Sequence, residues 1–459
     1  MNFYKYFVRY GSYPLWMLKD GKIELYRYLY DLRNYDRIAG KDQLLRQEEN
    51  LRQLLKHAGQ NSRFYTELFQ EYDVIPDARR DPFEQISKLP IQTKSILNEN
   101  RTAIIASNIP SKHLMQDSTG GSTGTPLIFY RDKHCILKRR AQELFFDKWM
   151  DCRIGDKVAL FVAARHHPKG LKGFKSRFRN ATAARLLAFD PFKTDEMYLK
   201  SFYSTLRKFS PDIIKCFPNS LYIFARFLKE KGLVDIRPRA VSCTGETLHH
   251  YQRELFEEVF QCPVYEKYGS FEIGVAACEC SQHNGMHMFQ DGVYFEFVNQ
   301  NGKHAEPGEM AQLIVTDLYN YGFPLIRYQI GDIGAFSAST CSCGSKLPLM
   351  SKLFGRDRDI LVDDHGRPRP GYLFVEVFNK NHIPGTFQVI QEDSDHVLIK
   401  AVKAKEYTKT HEELILKSFR GLLGQGVEIN FIYLSEIPRE PSGKYKWVHS
   451  KLNMFNENS

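Results

Sequence analysis

The amino-acid sequence lacks any run of about 18 uncharged apolar residues, so no transmembrane helix is expected. Its first 16 residues, MNFYKYFVRYGSYPLW, contain no apolar core and no small-residue cleavage site, which argues against a secretory signal. We expect this aromatic, basic segment to pack on the protein's own body, with a membrane surface as the alternative. Cysteines are few: nine in 459 residues, five of them scattered at Cys135, Cys152, Cys216, Cys243 and Cys262. That usage is typical of a reduced, cytoplasmic protein and not of a disulfide scaffold.

The composition is neither poor in apolar residues nor extreme in charge. Hydrophobic residues make up 42% and aromatic residues 13% of the chain, which excludes a largely disordered protein. Lys and Arg number 64 and Asp and Glu 54, a net charge of +10. This mild excess permits an anionic substrate or a membrane surface but does not by itself indicate nucleic acid. The length predicts two to three domains with a large core.

The order of the predicted elements indicates an α/β fold. Residues 23–75 carry apolar side chains at spacings of three and four, which predicts helices. Between residues 76 and 264, short apolar runs such as 158–164 alternate with helical stretches such as 135–150, the pattern of a layered fold with a largely parallel sheet. After residue 285, strand patterns dominate and predict a β-rich subdomain.

The charged segment 355–371 is rich in Gly and Pro and is the predicted linker. It would separate a large N-terminal domain, residues 1–354, from a small C-terminal domain, residues 355–459. Three strand patterns and one helix pattern, at 411–424, follow the linker. We therefore expect the C-terminal domain to be a mobile α+β cap.

The strongest local signal is the loop 118–126, STGGSTGTP, in which eight of nine residues are Gly, Ser or Thr. Glycines let the backbone approach a polyanion, and successive N–H groups can form an anion-binding nest. The hydroxyl groups add donors for phosphate oxygens. The loop lacks the lysine of a Walker A motif, so it is not a standard P-loop. The alternative is a flexible Ser/Gly linker.

Three further motifs are weak when taken alone. In YGSFE, Tyr268 can stack on a purine and Glu272 can hold Mg²⁺, although such a sequence also fits a surface turn. Asp332 follows a strand pattern and a Gly turn, where it can bind ribose hydroxyls or simply end the strand. Lys444, on a Gly/Pro-rich loop, can enter an active site by domain motion and stabilise a transferring phosphoryl group, or it is a solvated tail lysine.

Together, and in this order, the motifs resemble those of the adenylate-forming superfamily, which includes acyl-CoA synthetases and the adenylation domains of peptide synthetases. The resemblance covers nearly the whole chain and implies that residues 1–354 bind ATP and the acyl group. It implies Lys444 and Glu272 as catalytic residues, with Mg²⁺ held through Glu272. The implied nucleotide-binding residues are Ser118, Thr119, Gly120, Gly121, Ser122, Thr123, Gly124, Gly245, Glu246, Tyr268, Gly269, Ser270, Asp332 and Arg356.

The segments SCTGETL, YGSFEIG, PLIRYQIGDIG and CSCG are similar to the phenylacetate–CoA ligase branch, and most of all to its CapK-like group, often associated with genes for capsular and surface polysaccharides. The resemblance implies activation of a small carboxylic acid by ATP, with pyrophosphate release, and then acyl transfer to an acceptor. The acceptor is either a sugar amine, amino acid or hydroxyl, or CoA as in an aryl-acid CoA ligase. Arg358 stands where the family usually has Asp or Lys, which puts CoA use in doubt. A non-catalytic scaffold is the third alternative.

Four cysteines form two short clusters, Cys278-x-Cys280-x-x-His283 and, about 60 residues later, Cys341-x-Cys343. Thiolates with one imidazole suit tetrahedral Zn²⁺. The preferred ligands are Cys280, His283, Cys341 and Cys343, and His287 is a competing candidate. We expect the zinc to be structural; the alternatives are buried reduced cysteines or a disulfide.

Residues 165–185 carry seven Lys or Arg and no acid. Such a stretch can contact an acidic polysaccharide, a peripheral membrane surface or the phosphates of CoA. The alternative is a solvated or disordered loop. Two phenylalanines among the basic residues also fit RNA, but no nucleic-acid-binding fold accompanies them, so no nucleic-acid partner is expected.

Overall fold

The computed structural model describes residues 3–77, 79–119, 126–162, 174–191, 193–438 and 446–452. The chain divides into two compact units. Unit 1 comprises residues 1–296, 314–330 and 336–351, and unit 2 comprises residues 297–313, 331–335 and 352–459. Among the described residues, no helix is both long enough and apolar enough to cross a bilayer.

Most of the helices lie in unit 1, and several begin at an aspartate that caps them. Asp132 accepts a hydrogen bond from the backbone N–H of Cys135 at 2.7 Å, and Asp195 accepts one from Tyr198 at 2.9 Å. The α-helices of unit 1 are α1 Phe3–Phe7, α2 Tyr13–Lys19, α3 Leu25–Asp31, α4 Gly40–Asn61, α5 Arg63–Glu71, α6 Pro82–Ser87, α7 Lys94–Glu99, α8 Arg101–Ile104, α9 Lys133–Asp147, α10 Phe174–Arg179, α11 Glu196–Phe209, α12 Pro218–Glu230 and α13 His250–Phe260. The helices of unit 2 are α14 Tyr372–Lys380 and α15 Lys409–Leu423.

The strands follow the same division, except that four of them adjoin or cross a unit boundary. Unit 1 holds β1 Met115–Ser118, β2 Ile128–Arg131, β3 Val158–Phe161, β4 Leu186–Ala188, β5 Ile213–Cys216, β6 Ala240–Thr244, β7 Val264–Ser270, β8 Gly274–Glu279 and β9 Met286–Met288. The four boundary strands are β10 Val293–Val298, β11 Ala311–Asp317, β12 Tyr328–Ser337 and β13 Leu349–Arg356. Unit 2 holds β14 Ile360–Val362, β15 Pro368–Pro370, β16 Gly385–Gln391, β17 His396–Lys403, β18 Glu428–Tyr433 and β19 Val448–Ser450.

The sheet of unit 1 confirms the predicted α/β class. Its strands β4, β3, β5, β6 and β7 are neighbours in that order and run parallel, and β8 and β9 then continue antiparallel. Helices α11, α12 and α13 pack with the sheet around a core that includes Phe161, Phe224 and Phe256. Helix α9 belongs to a second core, which it shares with the N-terminal helices. Helices on a parallel sheet are what the alternating strand and helix patterns predict.

Unit 2 contains a four-stranded sheet in the order β18-β17-β16-β19. Strands β16 and β17 are antiparallel, and both outer pairs are parallel. Helices α14 and α15 meet through Phe374 and Phe419, whose ring centroids lie 5.0 Å apart, and Phe378 stacks on Phe387 of β16 at 4.3 Å. These contacts build the α+β fold that the sequence predicts after residue 371.

The segment 355–371, predicted as a linker, contains regular structure. Strands β14 and β15 pair antiparallel across this segment and form a hairpin. The buried carboxylate of Asp363 organises it, accepting hydrogen bonds from the side chains of Arg367 at 2.8 Å and Arg369 at 2.7 Å. Burial opposes ionisation, but backbone N–H groups and the two guanidinium groups outweigh it and lower the Asp363 pKa. The charged, Gly and Pro residues that predicted a linker instead form a turn with ion pairs between Asp363 and the two arginines.

Candidate active site

The predicted nucleotide-binding residues of unit 1 share the carboxyl edge of the parallel sheet. Gly245 and Glu246 directly follow β6, and Tyr268, Gly269 and Ser270 end the neighbouring strand β7. Thr244 pairs with Lys267, so the ends of these two strands are adjacent. Ligands of open α/β sheets bind in crevices outside the carboxyl ends of the strands. The structure therefore brings two separately predicted motifs together.

Gly245 occupies a position that only glycine fits. Its φ is +77°, and a Cβ built there would lie 2.6 Å from Cε1 of Phe217. Glu246, the next residue, accepts a hydrogen bond from the backbone N–H of Asn219 at 3.1 Å. Asn219 lies in the first turn of α12, where unpaired N–H groups favour a carboxylate. The Glu246 side chain thus ties the loop after β6 to the start of α12.

Glu272 is buried, although such a residue would be expected at the surface of most turns. Its backbone carbonyl and that of Phe271, at 2.7 Å, both accept hydrogen bonds from the guanidinium group of Arg139 on α9. Arg139 also forms an ion pair with the buried carboxylate of Asp317. Among the described residues, no group donates a hydrogen bond to the Glu272 carboxylate. That carboxylate is consequently held in place by its backbone while its oxygens keep their capacity to bind a cation.

Sequence reasoning missed Arg139 and Asp317. The two residues are 178 positions apart, and Arg139 lies in a helix whose pattern shows only an ordinary surface cation. Tyr268 was predicted to present its ring to a purine; the structure buries the residue beside Phe295, at a centroid distance of 6.4 Å. Stacking on the nucleotide therefore stays a prediction for Tyr268.

The predicted phosphate loop connects the two strands of a hairpin. Strand β1 ends at Ser118, which pairs with Ile128 of β2. The backbone N–H of Thr119 donates to the carbonyl of Leu127 at 3.0 Å, and the Thr119 hydroxyl accepts from the N–H of Leu127 at 2.9 Å. The base of the loop is thus fixed by hydrogen bonds. Predicted site residues outside the described part of the chain are Gly120, Gly121, Ser122, Thr123, Gly124 and Lys444.

Asp332 and Arg356 lie in unit 2 and form an ion pair, with Nε 3.0 Å from Oδ1. The prediction placed Asp332 after a strand, but it lies inside β12, next to Gly331 with φ +80°. Burial raises the pKa of the neighbouring Asp359 to about 6. The structure therefore joins two predicted nucleotide-binding residues within one cluster of charges.

An ionic network, buried at Asp147 and Lys267 and partly exposed elsewhere, lies between α9 and the sheet. Lys215 of β5 binds Glu143 at 2.8 Å and Asp147 at 2.9 Å, and Lys267 of β7 binds Asp147 at 2.6 Å. Arg140 adds a third cation, 2.5 Å from Glu143. Burial disfavours the charged form of Lys215, but the two carboxylates outweigh it and raise the Lys215 pKa. The face of the sheet that α9 covers therefore carries charged side chains at this point.

The clustered cysteines meet in space with one imidazole. Cys280, His287, Cys341 and Cys343 each offer a ligand atom, and these four atoms lie within 4.8 Å of one another. The Sγ atoms of Cys280 and Cys341 are 3.6 Å apart, and Sγ of Cys343 lies 3.4 Å from Nε2 of His287. Three sulfurs and one nitrogen at these separations suit tetrahedral Zn²⁺.

The surroundings prepare His287 as a ligand. Its Nδ1 lies 3.2 Å from the carbonyl oxygen of Leu347, a bond that requires the proton on Nδ1 and leaves the Nε2 lone pair facing Cys343. Burial lowers the His287 pKa and so favours the neutral imidazole. His283, the predicted fourth ligand, instead binds Glu279 at 3.2 Å. The structure therefore places His287, the competing candidate, beside the three cysteines, because it lies on strand β9.

Comparison with known proteins finds relatives in the group that the sequence resembles. Residues 374–451 match the model of the CapK C-terminal domain. Protein CapK of Staphylococcus aureus is 24% identical over 419 residues, which cover 88% of this chain and 89% of CapK. The phenylacetate-coenzyme A ligase of Escherichia coli strain K12 is 22% identical over 86% of this chain and 91% of the ligase. The crystal structure of 2-hydroxyisobutyryl-CoA ligase in the postadenylation state, in complex with R3-HIB-AMP, matches with a TM-score of 0.73 and 17% identity, over 92% of both chains. These findings agree with the resemblance that the sequence shows: the chain is similar over most of its length to CapK and to the phenylacetate–CoA ligases, its C-terminal part matches the CapK C-terminal domain, and its fold is that of an adenylate-forming ligase.

Proposed function

We propose that the protein activates a carboxylic acid with ATP to an acyl-adenylate and then transfers the acyl group to an acceptor, in the biosynthesis of a surface or capsular polysaccharide. The observation that carries the first half of this proposal is the shared carboxyl edge of β6 and β7. Gly245 and Glu246 lie there beside Tyr268, Gly269 and Ser270, in a fold that a related ligase uses to hold an acyl-AMP. The polysaccharide setting rests on the similarity to CapK.

In the proposed first step, a carboxylate oxygen attacks the α-phosphorus of ATP and pyrophosphate leaves. No covalent bond to the enzyme forms, so the protein contributes position and charge. Glu272 would hold Mg²⁺, which neutralises phosphate charge when bound; its buried carboxylate, fixed through Arg139, fits that role. Lys444 would contact the carboxylate and the α-phosphate. In the second step the acceptor nucleophile attacks the acyl carbon, AMP leaves, and the nucleophile loses its proton.

The charged face of the sheet beneath α9 favours a polar carboxylic acid as substrate over an aryl acid. By resemblance, the acyl pocket is lined by residues after 140 and by the ends of β5, β6 and β7. Lys215, Ser242, Thr244 and Lys267 lie on one face of these strands, as their register shows. Glu143 and Asp147 cover that face from α9. A phenyl ring would gain little there, since the partly exposed charges of Lys215 and Glu143 would lose water without receiving new partners.

Two acceptors remain, and each has its own support. A related ligase has been solved with 2-HIB-AMP and CoA in the thioesterification state, which favours CoA. The similarity to CapK over 88% of the chain favours a saccharide amine or hydroxyl. The reaction product separates them, because only the CoA route forms a thioester.

The test is pyrophosphate release from purified protein with ATP, Mg²⁺ and a panel of acids, each with and without CoA or an amino sugar. We expect release with hydroxy, amino or sugar acids and none with phenylacetate. Lys444→Ala should reduce release at least about 100-fold while ATP affinity changes little, because this lysine acts on the developing charge. Lys405→Ala, at an exposed position, is the matched control. Normal pyrophosphate release by the Lys444→Ala variant would refute the catalytic role, and no release with any acid would favour the scaffold alternative.

We also propose that Cys280, His287, Cys341 and Cys343 bind a structural Zn²⁺. The support is the mutual distance of the four ligand atoms and the fixed tautomer of His287. In addition, backbone N–H groups of Gln282 and Ser345 donate to the sulfurs of Cys280 and Cys343, each at 3.4 Å, which stabilises thiolates. Such a zinc would join β8 and β9 to the segment before β13.

A cytoplasmic location belongs to the same proposal, because the reaction consumes ATP and all nine cysteines are unpaired thiols. The acidic saccharide and the membrane surface predicted as partners of residues 165–185 are also proposals.

A further inference from the structure

The N-terminal helices of unit 1 are apolar on two opposite sides. One side packs on the body: Val8, Tyr13 and Met17 are buried in the core that includes α9. The other side stays exposed. Seven large apolar or aromatic side chains are exposed between residues 3 and 18, namely Phe3, Tyr4, Tyr6, Phe7, Tyr10, Leu15 and Leu18. A helix that is hydrophobic all round is normally covered on all sides, so this outward face points to something that covers it.

Helix α10 extends this exposed surface. The N-terminal helices contact α10 and the helical turn after it: Trp16 donates to the Thr182 hydroxyl at 3.0 Å, and its ring lies 6.5 Å from that of Phe178. Arg179 forms an ion pair with Asp20. Phe174, 87% exposed, and Phe178 add two aromatic side chains to the surface. We call the exposed side chains of residues 3–19 and 174–179 the aromatic-basic surface.

The charge of this surface has one sign. Residues 3–19 contain three Lys or Arg and no Asp or Glu, and residues 174–179 contain three and none. Lys19, Lys175, Arg177 and Arg179 are exposed, and Arg179 pairs with Asp20; the Arg9 side chain is 13% exposed and pairs with Asp156. Lys175 and Arg177, both exposed, alternate with the two phenylalanines of α10. Amphipathic basic side chains interleaved with exposed aromatic rings are the composition of surfaces that lie in the headgroup region of a bilayer.

We propose that the aromatic-basic surface binds the headgroup region of an anionic phospholipid membrane, so that the enzyme works as a peripheral membrane protein. The aromatic rings would enter the boundary between headgroups and acyl chains, and the Lys and Arg groups would bind lipid phosphates and carboxylates. A second copy of the chain fits less well, because it would place two surfaces with an excess of basic side chains against each other. This binding needs neither ATP nor an acid substrate and is independent of the proposed reaction.

The test is flotation of the purified full-length protein with vesicles of phosphatidylcholine alone or with about 30 mol% phosphatidylserine. We expect binding to the anionic vesicles, weakening as NaCl rises from about 0.05 to 0.5 M, because salt screens surface charge. Lys175→Glu/Arg177→Glu should weaken binding by more than about 25-fold, since each basic group near an anionic surface contributes roughly a fivefold factor. Phe3→Ser/Phe174→Ser should also weaken binding.

Matched controls separate this surface from general charge and exposure. Lys56→Glu/Lys208→Glu makes the same change in net charge at exposed positions elsewhere, and Met197→Ser removes an 82% exposed apolar side chain outside the surface. Both controls should bind like the wild type. Equal binding of all variants, or equal binding to both kinds of vesicle, would overturn the proposal.

Two further outcomes would also overturn it. One is saturable binding to a soluble acidic polysaccharide that displaces the protein from vesicles at equal anion concentration. The other is concentration-dependent self-association that the Phe3→Ser/Phe174→Ser variant abolishes while vesicle binding is absent.

A measurement on protein with an unaltered aromatic-basic surface guards against misfolded variants. Of the three tryptophans, Trp16 lies within residues 3–19, with its ring beside Phe178 of the surface. Brominated lipids in anionic vesicles should quench part of the tryptophan fluorescence of the wild type, and Trp16→Phe should lose that quenched fraction. No quenching at saturating vesicle concentration would contradict the proposal.

Discussion

Arg139 both stabilises unit 1 and fixes the backbone of Glu272, and the substitution Arg139→Met tests both roles. The substitution leaves the carboxylate of Asp317 buried without its cation, which costs about 3–5 kcal/mol for a buried pair broken on one side. It also removes the donor to the carbonyls of Phe271 and Glu272. For a protein of this size, we expect the melting temperature to fall by roughly 3–5 °C.

A second substitution distinguishes charge from position. Arg139→Met/Asp317→Asn no longer buries an unpaired charge, so at least half of the lost melting temperature should return. Pyrophosphate release should remain impaired in both variants, because neither fixes the backbone of Glu272. Arg153→Met removes an ion pair whose two side chains are more than half exposed, and it should change stability by less than about 1 kcal/mol.

The pH dependence gives a further check on the same pair. Burial raises the pKa of Asp317 even though Arg139 opposes this effect. Without Arg139, the ionised form of Asp317 is less favourable still. The Arg139→Met variant should therefore lose stability as pH rises through the folded-state pKa of Asp317. The deficit of Arg139→Met relative to wild type should therefore be smaller at pH 5 than at pH 8, by thermal melting. An Arg139→Met variant with wild-type stability and normal pyrophosphate release would refute the reasoning.

Three other outcomes follow from the structure. His287→Ala should lose bound zinc by metal analysis while His283→Ala keeps about one zinc per chain, and less than about 0.3 zinc in the wild type would contradict the site. Gly245→Ala should raise the KM for ATP at least about tenfold. Gly232→Ala, with a similar positive φ but no neighbour within 4 Å of the added Cβ, should cost only backbone strain. An equal rise of the KM for ATP in both variants would contradict the role of the close contact. Burial raises the pKa of Glu266 to about 7, so the contribution of Glu266 to stability should fall as pH rises from about 4.5 to 7, by at most about 1.4 kcal/mol per pH unit. In urea unfolding, Glu266→Gln should abolish this dependence of stability on pH. An unchanged dependence in the variant would assign it to another group.

The sequence alone determined the features that depend on neighbours along the chain. The predicted strand 212–217 is observed as Ile213–Cys216, and the predicted helix 411–424 as Lys409–Leu423. Apolar periodicity and aspartate caps act within a few residues, so they are readable from a single sequence. The order of the motifs was sufficient to show the resemblance to adenylate-forming ligases, because each motif marks the end of a strand or a loop.

Only the tertiary structure decided which distant groups meet. His283 and His287 have similar spacing from the cysteines, yet the pairing of β8 with β9 places His287 at the cluster. Arg139 and Asp317 are 178 residues apart, and no local pattern connects them. The segment predicted as a linker forms a hairpin, in which Asp363 accepts hydrogen bonds from the guanidinium groups of Arg367 and Arg369. Periodicity specifies which side of an element is buried, whereas the partner across the interface depends on how strands are ordered and how helices pack on them.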